Sequence, residues 1–146
     1  MKNELEKQLC DRYPLIFAER GLSTQQSCMG RGLACNDGWF DLIDTLCERL
    51  QFSTDHNHAP QVVATQVKEK FGQLCIYLRP GASDQQRGMV AMAQAMSARL
   101  CEQCGKPGQT LVHGFWHLTR CSEHAPDGAI TIETFLAQRK VPGIAP

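Results

Sequence analysis

Apolar residues recur at helical spacing in three separate segments of the chain. The strongest pattern predicts a helix over about 38–51, because its apolar positions share one face of a 3.6-residue period: Trp39, Leu42, Ile43, Leu46, Cys47 and Leu50. Asp37 stands just before this helix and is expected to cap its free N–H groups. Weaker patterns predict further helices over about 2–12 and 84–99.

The helix predicted over 84–99 carries its own start signal. Ser83 and Gln86 have the spacing of a capping box, in which each side chain satisfies a backbone N–H of the other. Its apolar stripe is rich in methionine: Met89, Met92, Ala93 and Met96. Core packing explains such a stripe better than an adaptable binding surface does.

Apolar and polar residues alternate over about 62–79, which predicts a β-hairpin that turns at Phe71-Gly72. The segment 52–60 is predicted to be a polar connection, and 21–36 a long loop. Short β-strands are expected within 109–119, and Ile132, Phe135 and Leu136 indicate a short C-terminal helix. The predicted fold class is therefore α+β, with a helical and β-hairpin core over 1–100 and a small module over 101–146.

Composition narrows the functional classes for this 146-residue chain. Hydrophobic residues make up 42% and charged residues 21%, which excludes a mainly disordered chain. No apolar run is long enough to span a bilayer, and no signal peptide is evident, so we expect a cytoplasmic protein without a membrane partner. Fifteen Lys and Arg balance fifteen Asp and Glu, which disfavours a dedicated nucleic-acid binder. Lys68, Lys70 and Arg79 give only a slight local excess.

Eight cysteines are many for this length, and without a signal peptide they indicate metal binding or reduced thiols rather than disulfides. Cys101 and Cys104 form a pair with two intervening residues, as do Cys121 and His124, and 16 residues separate the pairs. This spacing predicts a closed, tetrahedral zinc site of a treble-clef-like or zinc-ribbon module. Four protein ligands leave no position for water, so we expect one structural Zn²⁺ and no catalytic residue.

The segment between the ligand pairs offers alternatives. His113 or His117 could replace His124 as the fourth ligand. Phe115 and Trp116 are expected to cover the turn that carries the predicted zinc ligands, as an aromatic lid. The alternative is that they contact a base or a protein partner. Lys106 and Arg120 are balanced by Glu102 and Glu123, which favours protein contact or a structural role over nucleic-acid binding.

Four carboxylates lie opposite the apolar stripe of the helix over 38–51. We call Asp37, Asp41, Asp44 and Glu48 the acidic ridge; they are spaced i, i+4, i+7 and i+11. A solvated helix face explains such a row, and the sharper hypothesis is electrostatic docking of a basic partner surface. Cys28, Cys35 and Cys47 have spacings that match no common metal site and are expected to be reduced thiols.

Several stretches together resemble a family of small, largely uncharacterised proteins of bacteriophages and prophages. The stretches are 13–17, 28–47, 66–72, 101–108 and 119–125. The resemblance places the family's Gly-Trp helix at Gly38-Trp39 and its Cys/His cluster at Cys101, Cys104, Cys121 and His124. Because small phage accessory proteins often bind a host protein, it implies an interaction protein that inhibits a host defence system or enzyme. Two alternatives stay open, a nucleic-acid-binding zinc protein and a metal-dependent nuclease.

Overall fold

A computed structural model describes residues 1–139 and confirms the α+β class. Its helices are α1 (Asn3–Arg12), α2 (Phe40–Asn57), α3 (Asp84–Ser97) and α4 (Ile132–Arg139). Its strands are β1 (Ala64–Lys70), β2 (Gln73–Leu78), β3 (Gln109–His113), β4 (Trp116–Arg120) and β5 (Ile130–Thr131). Among these helices, none has both the length and the hydropathy that crossing a lipid bilayer requires.

The predicted hairpin forms from β1 and β2, which pair antiparallel with Val67 opposite Ile76 and Lys70 opposite Gln73. Both turn residues have positive φ, 53° at Phe71 and 78° at Gly72, which is the backbone that tight hairpins favour. One face of the hairpin carries buried Val67 and Leu74, and the Leu74 N–H donates to the hydroxyl of Ser97 on α3 at 2.8 Å.

Helix α2 begins later and ends later than predicted. Asp37 does not cap it, because Asp37 lies in a short 3₁₀ turn and its carboxylate accepts the Lys2 N–H at 2.8 Å instead. The helix runs to Asn57, through part of the segment predicted to be a connection. The Thr54 hydroxyl donates to Pro60 O at 3.1 Å, and the Ala59 N–H donates to Ser53 O at 3.2 Å, which holds this last turn in place.

Helix α3 starts with the predicted capping box, since Ser83 Oγ accepts the Gln86 N–H and Gln86 Oε1 accepts the Ser83 N–H. The expectation that its methionine stripe packs in the core is wrong for Met92 and Met96, which are 70% and 42% exposed. The helix instead buries smaller or polar side chains against the core: Gln86, Val90, Ala93 and Ser97.

Strands β3, β4 and β5 form a second sheet in the order β4-β3-β5. This sheet joins the first hairpin through Thr119, which is fully buried and donates its hydroxyl to Gly72 O at 2.5 Å. A Cβ at Gly72 would lie 2.9 Å from Thr110 Cγ2, so the close approach requires glycine there. The C-terminal module therefore packs directly on the hairpin of the core.

Candidate metal centre

The structure brings together the four side chains that the sequence predicted as metal ligands. One donor atom each from Cys101, Cys104, Cys121 and His124 lies within 4.8 Å of the other three. The Sγ of Cys104 and Cys121 are 3.7 Å apart, and His124 Nδ1 lies 3.2 Å from Cys121 Sγ and 3.6 Å from Cys101 Sγ. A tetrahedral zinc ion would give edges of about 3.8 Å between sulfurs and about 3.5 Å between sulfur and nitrogen. The cluster could hold one metal ion.

Two tight turns carry these donors, and we call residues 101–106 the first metal turn and residues 121–125 the second metal turn. In the first, Gly105 N–H donates to Cys101 O and Cys101 N–H donates to Lys106 O, both at 2.8 Å. In the second, His124 and Ala125 N–H groups both donate to Cys121 O. Hairpin β3-β4 connects the turns, and Lys106 bridges them by donating to both carboxylate oxygens of Glu123 at 2.8 Å.

The backbone of the first turn prepares a thiolate. Burial opposes ionisation of Cys101, but N–H groups of Cys121, Cys104 and Gln103 outweigh it and lower the pKa of this thiol to about 6. The Lys106 N–H favours ionisation of Cys104, but desolvation and the neighbouring Cys101 and Cys121 sulfurs prevail and raise the pKa of that thiol. The lowered pKa favours the thiolate form of Cys101, which is the form that binds a metal ion.

Both alternative histidine ligands lie outside the cluster. His113, at the end of β3, is exposed, whereas His117 is half-buried on β4. The His117 ring meets the edges of two aromatic rings, with centroids 6.0 Å from Phe71 and 6.4 Å from Phe135. His117 therefore belongs to the packing between the hairpin of the core and α4.

The first metal turn docks on the 3₁₀ turn Asp37–Trp39 that precedes α2, a contact that the sequence did not predict. Gly38 N–H donates to Glu102 O at 2.8 Å, and the buried indole of Trp39 donates to Leu100 O at 3.0 Å. A Cβ at Gly38 would lie 2.3 Å from Cys101 O and 2.5 Å from the N atoms of Cys104 and Gly105. The signal in the sequence for this contact is the Gly-Trp pair itself, and the pair does not indicate which segment of the chain it contacts.

Glu102, between the two cysteines of the first turn, anchors three segments. Its side chain is only 6% exposed, and it accepts the Asn36 N–H at 3.0 Å and the Arg120 guanidinium at 2.9 Å. Its own N–H donates to Thr119 O at 3.0 Å. The side chains of Glu102 and Arg120 are 6% and 13% exposed, and each charge is directed at the other rather than at solvent.

The acidic ridge is divided by its internal contacts. Asp37 is held by Lys2, and this contact lowers the pKa of its carboxyl. Asp44 accepts the Arg12 guanidinium at 2.7 Å and the Tyr13 hydroxyl at 3.0 Å. Asp41 and Glu48 are exposed. Only the latter two thus present a carboxylate that makes no ion pair within residues 1–139.

The expectation that Phe115 and Trp116 form a lid over the metal turn is wrong. They lie at the tip of hairpin β3-β4, where Phe115 is fully exposed and Trp116 is 76% exposed. Gly114, with φ of 61°, makes the tight turn that carries them away from the module. The first metal turn is contacted instead by Gly38 and Trp39, in the 3₁₀ turn before α2.

The remaining predicted thiols are dispersed. Cys28 is exposed, whereas Cys35 and Cys47 are buried in the core. Burial raises the pKa of the Cys35 thiol to about 12 and also raises the pKa of Cys47. The buried positions of Cys35 and Cys47 agree with thiols that pack as small apolar side chains, whereas the Cys28 thiol faces solvent.

No family model, no curated protein and no solved structure matches this chain.

Proposed function

We propose that the Cys101, Cys104, Cys121 and His124 cluster binds one structural Zn²⁺. Three thiolates and an imidazole are the donors that zinc prefers, and the distances between them suit a tetrahedron. Four protein donors leave no coordination position for water, which argues against the alternative of a metal-dependent nuclease at this centre. The zinc would organise residues 100–125 and hold them on α2.

We further propose that the protein is a binding factor whose contact with a protein partner is the hairpin tip, Phe115 and Trp116. The observation that carries this proposal is their exposure, 101% and 76%, at the end of a hairpin that the metal turns hold at its base. Large aromatic side chains in water gain no burial energy in the free protein, and aromatic residues supply much of the binding energy of protein interfaces.

From the resemblance to phage proteins, we propose that the partner is a protein of the bacterial host. Binding would inhibit that host protein. Within the acidic ridge, Asp41 and Glu48 are the carboxylates left to steer a basic partner surface, because Lys2 and Arg12 neutralise Asp37 and Asp44. Docking would then depend on the tip for affinity and on this pair for the rate of association.

The test is a capture experiment with matched variants. Tagged, zinc-loaded protein is incubated with lysate of a bacterial host, and captured proteins are quantified by mass spectrometry beside the zinc content of the sample. Phe115→Ala with Trp116→Ala should reduce the captured partner at least tenfold. The control is Leu15→Ala with Met92→Ala, which removes two large hydrophobic side chains that are more than half exposed elsewhere, 56% and 70%, and should capture normally.

Equal capture by the tip variant and the control would refute docking through the tip. Asp41→Lys with Glu48→Lys separately tests the acidic pair, and these changes spare the internal contacts of Asp44. Capture that is unchanged at low ionic strength would remove the acidic pair from the proposal.

A further inference from the structure

Three pairs of a cation and an aromatic ring lie on hairpin β1-β2 and on α4, and a ring on β4 joins two of them. Lys68 lies over the ring of Tyr77 at 5.5 Å, Lys70 over Phe71 at 5.4 Å, and Arg139 over Phe135 at 5.3 Å. The His117 ring joins the last two pairs, since it contacts both Phe71 and Phe135. We call these three cation–ring pairs the cation–aromatic strip.

The charges of this strip are not neutralised within the described residues. Residues 1–139 contain eight ion pairs between a basic side chain and a carboxylate. None of these pairs includes Lys68, Lys70 or Arg139. Lys68, Lys70 and Tyr77 share the outer face of hairpin β1-β2, because alternate residues of a strand point the same way. A net charge of zero for the chain therefore coexists with a local cationic strip.

Two of the three rings of the strip are open to solvent, whereas Phe135 is half-buried. Phe71 is 68% exposed and Tyr77 is 43% exposed. Phe71 also adopts φ of 53°, a conformation in which a bulky side chain is strained and in which Asn or Gly is favoured. An exposed phenylalanine at this position gains little from packing in the free protein, and an external ligand would supply a reason for it.

We propose that the cation–aromatic strip binds single-stranded nucleic acid. Such a strand repeats a planar base and a phosphate charge, and proteins bind it by stacking bases on aromatic rings while cations follow the backbone. An acidic peptide would satisfy the cations and leave the rings without partners, and a duplex would hide its base faces. The proposal does not rest on the protein-docking function. Trp116 of the hairpin tip and His117 of the strip are successive residues of β4, so their side chains point to opposite faces of the strand.

The test measures binding of a fluorescent 15-nucleotide oligo(dT) or oligo(U) to the zinc-loaded full chain by anisotropy. Three cation contacts predict a fall in affinity of about 20-fold between 50 and 200 mM salt. Phe71→Asn should weaken binding about tenfold or more, because the loss of one stacked base costs that much. The same variant should fold at least as well, because Asn-Gly is a favoured pair in this turn.

A matched control lies on α2, where Arg49 sits over the Phe52 ring at 4.4 Å in a similar exposed pair. Arg49→Gln with Phe52→Ala should leave binding unchanged, whereas Lys70→Gln with Phe71→Asn should abolish most of it. Absence of oligonucleotide binding at 50 mM salt, or equal losses in both variants, would overturn the proposal. Equal affinity for a duplex, or equal competition by polyglutamate, would also overturn it, because either result would identify a surface that binds anions in general.

Discussion

Gly38→Ala is the sharpest perturbation of the contact between the metal turn and the core. A Cβ there would lie 2.3 Å from Cys101 O, and the neighbouring contacts are also backbone atoms, so the turn must move by about 1 Å to reach ordinary contact. Overpacking of this kind costs about 1–3 kcal/mol, and the weakened Gly38 N–H bond to Glu102 O adds about 1 kcal/mol. Alanine restricts the unfolded chain and regains about 0.5 kcal/mol.

The net expectation is a loss of about 2 kcal/mol in the free energy of unfolding. At a typical slope, this loss lowers the midpoint of urea denaturation by about 1 M. Urea titration of the zinc-loaded protein, followed by far-UV circular dichroism, measures it. The displaced turn should also release its metal to a chromogenic chelator faster than the wild-type turn does.

Gly88→Ala is the control for this measurement. Gly88 lies in α3, and nothing is within 4 Å of a Cβ built there, so alanine should stabilise the helix by about 0.5–1 kcal/mol. A Gly38→Ala protein with an unchanged or higher urea midpoint would refute the reasoning that the turn and α2 are in tight contact.

Two further changes test buried groups. Glu102→Gln removes the carboxylate that pairs with the largely buried guanidinium of Arg120 and should lower the free energy of unfolding, measured in urea, by about 3 kcal/mol. Glu123→Gln breaks an exposed pair and should change little. Similar losses in both variants would contradict the argument from burial. The stability of the protein should fall as pH rises from about 9 towards 12, because the Cys35 thiol ionises near 9 when unfolded but only near 12 in the folded core. Cys35→Ala removes this contribution, so the stability of the variant should fall less steeply than that of the wild type over this range. The two slopes should differ by about 1.4 kcal/mol per pH unit. Parallel pH profiles of the variant and the wild type would show the inference to be mistaken.

Elements with a long, regular period could be predicted from the sequence. The stripe from Trp39 to Leu50, the hairpin around Phe71-Gly72 and the capping box of α3 all follow from local patterns. The metal cluster could be predicted because the spacing of ligand pairs constrains their geometry.

What could not be predicted depends on contacts between distant segments. The last turn of α2 is held by Pro60, and the exposure of Met92 and Met96 depends on how far α2 covers α3. The approach of Gly38 to the metal turn joins residues more than 60 positions apart. The cation–aromatic strip likewise draws on β1-β2, β4 and α4, and no local pattern unites them.

The hydrogen bond from Trp39 to Leu100 has a consequence for how the chain survives in a cell. Trp39 is the largest fully buried side chain, and the acceptor of its indole is the carbonyl immediately before the first metal ligand. If the proposed site lost its ion and the first metal turn moved, the indole N–H of Trp39 would therefore lose its acceptor. If the cluster binds zinc as proposed, the supply of zinc would then set how long the folded polypeptide resists proteases, and so how much of it accumulates.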